Sequence, residues 1–344
     1  MINSSEIAKL AGVSRSTVSK VLNGYSNISE KTKKRVLEIV KEYNYIPDSN
    51  AQALAGKVNS VIGIFIYEKE YENDLIINHG KNFVYFTDFI NSCTKEAFLY
   101  KHQVLVAVIK NDLEEGRVER FFKNGSIAGG IFIGLTQDNK FIKSLMEKNY
   151  KMALIDYRDE LEEKRENVVL INIKDYEAAY KITKKIIETG AKKILYISGD
   201  EKKRTGIERK KGYIDALKDY GIEFDKNLII SSNFQREDSY KKIKDFFKKG
   251  IEFDGVFSSN DTMAYSYLDV IKELGLYEKL KEIPLWGYDN LKYTFIQGIK
   301  TAAPNFNEAA VEAIKSLIDP EFKRESNKEI DVNLIETLED YLKS

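Results

Sequence analysis

Arg15, Ser16, Ser19 and Lys20 fall within six residues, at spacings that turn them to the outer face of one helix near its start. Those side chains suit base reading. An arginine bonds a guanine edge at two points, a serine donates or accepts, and a lysine reaches a base or a phosphate. Thr17, Ser19 and Asn23 are short polar groups of the kind that hold phosphates and fix register without reading sequence. Catalytic chemistry finds little support. Glu114, Glu115 and the other carboxylates have no spacing that specifies acid–base work. No GxxxxGK[ST] run occurs, and the glycines at 125, 129, 130 and 134 make no dinucleotide fingerprint. Cys93 has only Lys95 nearby as a basic activator, so a buried inert thiol is expected.

The elements that would position the row are three short helical patterns. Ser4 or Ser5 can cap the first, whose apolar face is Ile7, Ala8, Leu10 and Ala11. Gly12 breaks it, because glycine tolerates the backbone angles of a tight turn. Ser14 can cap the second, with Val18, Val21 and Leu22 turned inward. Asn23-Gly24 ends it, and Ser29-Glu30-Lys31-Thr32 starts a third with Val36, Leu37, Ile39 and Val40. Pro47 stops the pattern. The helix–glycine–helix spacing is that of a helix-turn-helix motif, in which the second helix enters the major groove. A small helical bundle with a solvated polar face would carry the same pattern.

Composition narrows the class. The chain has 344 residues, 43% apolar and 31% charged, which is a globular composition with room for two or three domains. No run of ~18 apolar residues exists, and the start lacks the basic-then-apolar order of a signal peptide, so a cytoplasmic protein is expected. One cysteine and two histidines, His79 and His102, give no disulfide framework and no metal centre. No cofactor and no enzymatic activity is expected. Lysine and arginine balance aspartate and glutamate, 54 each. Residues 1–57 hold nine basic and five acidic side chains, a local +4 against −4 in the remainder, as for a module with an anionic partner.

The run Ala11-Gly12-Val13-Ser14-Arg15-Ser16-Thr17-Val18-Ser19-Lys20-Val21-Leu22-Asn23, with Asn44-Tyr45-Ile46-Pro47, closely resembles the DNA-binding headpiece of the lactose-repressor (LacI/GalR) family. The resemblance implies a DNA surface of Ser5, Ser14, Arg15, Ser16, Thr17, Ser19, Lys20 and Asn23. It also makes residues 48–57 a hinge that folds as a helix when two subunits meet on DNA. Ala51, Gln52, Leu54 and Ala55 stand at the matching positions, with Leu54 as the apolar wedge in the minor groove. Gln52 replaces an arginine found in many relatives, which weakens or removes one contact there.

Beyond the hinge, strand and helix patterns alternate. Strands are predicted over Val61–Ile66, Val104–Ile109, Gly130–Ile133, Met152–Ile155, Val168–Ile171, Ile194–Ile197, Gly255–Phe257 and Ile283–Trp286. Helices are predicted over Asp175–Thr189, Arg209–Tyr220 and Thr262–Leu274, among others. Continuous apolar strands between helices imply parallel sheets covered on both faces, and about 280 residues suit two similar lobes with a cleft between them. The charge-rich runs Asp159–Glu166 and Glu201–Arg204 read as solvated faces or loops.

Gly190-Ala191-Lys192-Lys193-Ile194, Arg209-Lys210-Lys211-Gly212-Tyr213, Ser259-Asn260-Asp261-Thr262-Met263-Ala264 and Gly287-Tyr288-Asp289-Asn290 resemble further landmarks of that family, in its order. The implied fold is α/β: a helix-turn-helix headpiece (1–47), a hinge (48–57) and a two-lobed core like that of periplasmic sugar-binding proteins (58–344). The implied function is a DNA-binding regulator, a repressor of carbohydrate-utilisation genes. Its partners would be a near-palindromic operator, a second copy of the chain and a small effector, a sugar or sugar derivative. Position by position, the resemblance assigns effector contacts to Thr205, Arg209, Phe257, Asn260 and Asp289. Asp289 could instead cap a loop, and Trp286 reads as core. Tyr67–Tyr85 replaces a shorter run in relatives, either as a loop that rebuilds the pocket, with Tyr85, Phe86 and Asp88 as its residues, or as a surface insertion. Asn305 stands where relatives often have glutamine.

Overall fold

The computed structural model describes residues 3–22, 28–43, 60–68, 83–158, 165–291, 294–319, 321–322 and 326–343. The chain divides into two compact units, Met1–Asn59 and Ser60–Ser344.

The first unit holds α1 (Ser4–Leu10), α2 (Arg15–Leu22) and α3 (Glu30–Glu42). The cap of α1 is Asn3 rather than Ser4 or Ser5. Its side chain accepts from the N–H groups of Ser5 and Glu6, and Glu6 reaches back to the Asn3 N–H, a complete capping box. Gly12 has φ +62, a left-handed turn that a side chain would strain. Ser14 caps α2 as expected, accepting from Thr17 N at 3.0 Å. Ile7, Ala8, Ala11, Val18, Val21 and Val36 form the small core. Leu10 and Leu37, read as core, are about half exposed, at 49% and 50%. Two short helical faces cannot enclose every apolar residue of a three-helix unit this small.

The second unit contains two parallel sheets. The first is ordered β11-β5-β4-β3-β1-β2, built from β1 (Val61–Tyr67), β2 (Gln103–Ile109), β3 (Gly129–Ile133), β4 (Met152–Ile155), β5 (Val168–Ile173) and β11 (Asn327–Ile330). The second is ordered β7-β6-β8-β9, from β6 (Ile194–Ser198), β7 (Ile229–Ser231), β8 (Gly255–Ser258) and β9 (Leu285–Trp286). The strand pairs in both sheets are parallel. Buried runs such as Ile62–Ile66 reflect helices on both faces. In the first lobe α4 (Phe83–Leu99) and α12 (Phe306–Ile318) cover one face, and α5 (Asp112–Lys123) and α6 (Lys140–Glu147) the other. In the second lobe α7 (Asp175–Glu188) and α8 (Arg204–Asp219) lie on one face, α9 (Arg236–Phe247) and α10 (Asp261–Glu273) on the other, followed by the short α11 (Tyr277–Leu280).

The chain crosses between the lobes three times, after β5, after β10 (Thr301–Pro304), and between β11 and β12 (Val332–Ile335), which pairs antiparallel with β10; α13 (Leu338–Lys343) follows. The crossings are tied together. Lys174 N donates to Ile330 O at 3.0 Å, and Asn305 N to Asp331 O at 3.2 Å. The strands β7, β10, β11 and β12 were not predicted. They are short, and sequences such as Asn327-Lys328-Glu329-Ile330 and Thr301-Ala302-Ala303-Pro304 lack an apolar run. The largest shift is at α8, which begins at Arg204, five residues before the predicted start. Gly206 allows it, because a Cβ there would lie 2.1 Å from the Asp200 carbonyl oxygen.

Candidate functional site

In the first unit, Ser5, Ser14, Arg15, Ser16, Ser19 and Lys20 are exposed, and Thr17 is half-buried. The Ser14 hydroxyl pairs with that of Thr17 at 2.9 Å, so these two groups also serve the start of α2. Arg15, Ser16, Ser19 and Lys20 thus form an outward polar row on α2, opposite buried Val18 and Val21. Asn23, Ala51, Gln52, Leu54 and Ala55 lie outside the described residues, as does the Tyr85 side chain.

In the second unit, both sheets reverse their strand order once, between β1 and β3 and between β6 and β8, where a parallel sheet opens a crevice beyond its strand ends. A cavity of about 790 Å³, its open mouth included, lies there. The first lobe supplies Tyr67 and Glu68 at the end of β1, Ile133, Gly134 and Leu135 at the end of β3, and Ile155 and Asp156 at the end of β4, with Phe86 from α4. The second lobe supplies Lys203, Thr205 and Arg209, with Phe234, Asn260, Thr262 and Asp289. Apolar walls with a few convergent polar groups are what a small-molecule site requires.

Thr205, Arg209, Asn260 and Asp289 therefore meet at one cavity. Phe257 does not, and its expected contact is corrected. Its ring is fully buried in β8, 5.1 Å from that of Tyr196, which stacks on Tyr213 at 4.6 Å. Strand alternation turns Phe257 into the helix-covered core, while the polar residues just past the strand end face the crevice. Trp286 is core, as expected. Asn260 caps α10, accepting from Met263 N at 2.9 Å, and donates to Phe234 O at 3.1 Å. Of the stretch from Tyr67 to Tyr85, residues 69–82 lie outside the described residues. Tyr67 and Glu68 line the cavity, as does Phe86 on α4, whereas Asp88 is exposed and faces an adjoining polar depression with Asn290 and Asn305. Asn305 caps α12 through Glu308 N at 3.1 Å.

Arg209 organises the second-lobe wall. Its Nε donates to Asp175 Oδ1 at 2.9 Å, and Nη1 donates to Ser259 O at 2.6 Å and reaches Asp289 Oδ1 at 3.4 Å. Burial pushes the Asp289 carboxyl well above the usual carboxylate range. Arg209 opposes that push, and the charges of Asp261 and Asp175 add to it. Asp289 has φ +105 and Asp156 φ +53, left-handed conformations held just past strand ends at the cavity.

Sequence reasoning missed Asp156, Asp175 and Asp261. Asp156 accepts from Ile173 N at 2.8 Å, and burial lifts its carboxyl to about 7, helped by the charge of Asp175 and opposed by Arg204 and Arg209. Asp261 accepts from Leu291 N, Thr294 Oγ1 and Thr301 Oγ1 at 2.8–3.0 Å, and burial lifts it to about 7. Gly287 makes room for it, since a Cβ there would lie 2.1 Å from Asp261 Oδ1. The signal for Asp156 was its place directly after the apolar run Met152–Ile155. Cys93 is buried and its thiol is pushed up. Among the described residues no helix is long and apolar enough to cross a membrane, and no three His, Cys, Asp or Glu side chains group as metal ligands.

Comparison with known proteins matches both units. The family described as bacterial regulatory proteins, lacI family, matches residues 5–48. Periplasmic binding proteins and sugar binding domain of LacI family matches residues 75–328. The HTH-type transcriptional regulator MalR of Streptococcus pneumoniae is 26% identical over 314 residues, covering 91% of this chain and 87% of MalR. The probable HTH-type transcriptional repressor ExuR of Bacillus subtilis is 27% identical over 331 residues, covering 94% of each. The Lac repressor dimer bound to operator and the anti-inducer ONPF superposes with a TM-score of 0.78 at 20% identity, over 97% of this chain and 98% of that one. A transcriptional regulator CelR–cellobiose complex superposes at 0.69 and 21% identity, over 98% and 99%. With the helix-turn-helix unit and the two-lobed cavity both matched along the chain, this protein belongs to the LacI family of bacterial transcriptional regulators.

Proposed function

We propose that the protein is a cytoplasmic, homodimeric repressor of carbohydrate-utilisation genes whose hold on a near-palindromic operator is controlled by a sugar or sugar derivative in the cavity. The observation that carries this reading is the cavity wall itself, in which Asp156 of one lobe faces a set of Thr205, Arg209 and Asp289 from the other, between aromatic side chains. Carboxylates and a guanidinium accept from and donate to hydroxyls, and aromatic faces cover the apolar side of a sugar ring. The CelR complex with cellobiose lends support from a chain of the same fold.

Residues 1–47 would read DNA, 48–57 would form the hinge with Leu54 as wedge, and 58–344 would sense the effector and dimerise. The boundary between compact units after Asn59 supports that division. Two headpieces would enter successive major grooves. A ligand that binds one arrangement of the lobes better than the other would shift the pair of headpieces and weaken the grip.

The test is selection of genomic fragments by the purified protein, followed by titration of the selected duplex complex with cellobiose, maltose and monosaccharides. A preferred fragment released by one sugar supports the reading. No preference over scrambled duplex at moderate salt refutes it.

A further inference from the structure

Arg204 opens α8 in the second lobe, yet its guanidinium ends on first-lobe groups. Nη1 donates to the carbonyl of Ile173, the last residue of β5, at 2.9 Å and lies 3.7 Å from Asp156 Oδ1. The Asp156 carboxylate also accepts from the Ile173 N–H, so carboxylate, peptide and guanidinium form one cluster. The two side chains keep only 13% and 9% of their exposure. Two residues earlier, the Lys202 carbonyl accepts from the Gln137 N–H at 3.0 Å, a second tie from the same turn to the first lobe. Asp156 lines the cavity, and Arg204, which does not, reaches it from α8.

We propose that Arg204 is a positioning residue that clamps the cavity carboxylate Asp156 across the lobe boundary, favouring its charged form for a ligand and holding the second lobe to the first. The proposal rests on the effector reading of the cavity, but it can be measured on ligand-free protein.

Several charges face Asp156. Asp175 on α7 raises its carboxyl, while Arg204 and Arg209 on α8 lower it. Glu68, Lys203 and Asp289 share the cavity wall. Arg209 already spans Asp175 and Asp289, which leaves Arg204 as the cation facing Asp156 most directly. The folded-state value, about 7, lies above that of an unfolded aspartate, so the folded protein holds this proton more tightly. The stability so gained is present at low pH and lost as pH rises through 7. Without Arg204 the carboxyl titrates higher still, and the loss runs on into more alkaline pH.

The experiment follows the melting temperature of the full chain from pH 5 to 9.5 for wild type, Arg204→Gln, Arg204→Lys, Asp156→Asn and the double variant Asp156→Asn/Arg204→Gln. Asp261 and Asp289 are present in all five, so differences between variants carry the answer. Arg204→Gln should diverge from wild type increasingly above pH 7, and Arg204→Lys should follow wild type. In the Asp156→Asn background the Arg204→Gln change should cost the same at every pH. A pH-independent offset for the single variant overturns the clamp. Should Arg204→Gln fail to fold at pH 8, recovery in the double variant gives the same support, and no recovery overturns it. Small-angle scattering reads the second half: Arg204→Gln should enlarge the radius of gyration at pH 8, and an unchanged radius overturns the hold on the lobes. A clamp established in a protein that no sugar stabilises supports this proposal while removing the effector reading.

Discussion

The guanidinium of Arg209 lies 3.5 Å from the centroid of the Tyr288 ring, with both side chains withdrawn from solvent. A cation over an aromatic face gains electrostatic attraction, most when desolvated. Here the ring also closes one side of the guanidinium, so that its donors turn toward Asp175, Ser259 and Asp289. The wall of the cavity and the core of the second lobe are thus one construction.

Arg209→Ala should therefore destabilise the protein and not only blunt its response. Removing one partner of a buried ion pair leaves uncompensated charge and costs about 3–5 kcal/mol. Urea unfolding at pH 7.5 measures the loss. Adding Asp175→Asn should recover part of it, because the stranded carboxylate is then gone. A loss under about 1 kcal/mol would place the pair in the class of surface bridges.

Asp289 differs, since it stands at the cavity in a backbone conformation that aspartate seldom adopts, φ +105. Asp289→Ala removes an acceptor from the wall while leaving the first unit untouched. Any sugar that raises the melting temperature of wild type should lose that effect, with operator binding retained. A thermal response of wild-type size would take Asp289 out of the site.

Asp261 gives a pH signature of its own. Its carboxyl titrates at about 7 in the folded chain because burial outweighs its hydrogen bonds, whereas unfolded aspartate titrates near 3.8. The folded protein binds the proton more tightly, so this group stabilises at low pH and loses that contribution as pH rises through 7. Melting temperatures between pH 5 and 8 should fall less steeply for Asp261→Asn than for wild type. Parallel curves would refute the raised value.

How far the sequence could be read follows from what each element needs. Apolar strands such as Met152–Ile155 announced themselves, because both faces are buried and every residue is apolar. The strands β10, β11 and β12 did not, because β10 and β12 pair only with each other beside the crossings and β11 is a short polar edge strand against β5, partnerships that no local pattern encodes. Arg209 and Asp289 were legible through resemblance, and Phe257 was misplaced because resemblance does not resolve which face of a strand a ring occupies. Arg204 sat in a run read as solvated charge, Glu201-Lys202-Lys203-Arg204. The close approach at Gly206, a tertiary contact, lets the helix start at the last residue of that run, Arg204, whose guanidinium meets the first lobe.

On the DNA-reading side, Arg15 and Lys20 should separate by role. Both are exposed on α2, Arg15 at its first residue and Lys20 in its last turn. The start of a recognition helix points at base edges, and an arginine there bonds guanine in two places. Arg15→Ala should cost about 1–3 kcal/mol on the preferred operator and flatten discrimination at one base pair, with little change on unrelated duplex. A lysine that meets only phosphate behaves otherwise. Lys20→Ala should weaken every duplex alike and lower the slope of log affinity against log salt by about 1. Binding titrations over single-base operator variants at several salt concentrations measure both. If Arg15→Ala weakened all variants equally, the arginine would be a phosphate contact, and base reading would have to lie with Ser16 and Ser19 on the same face.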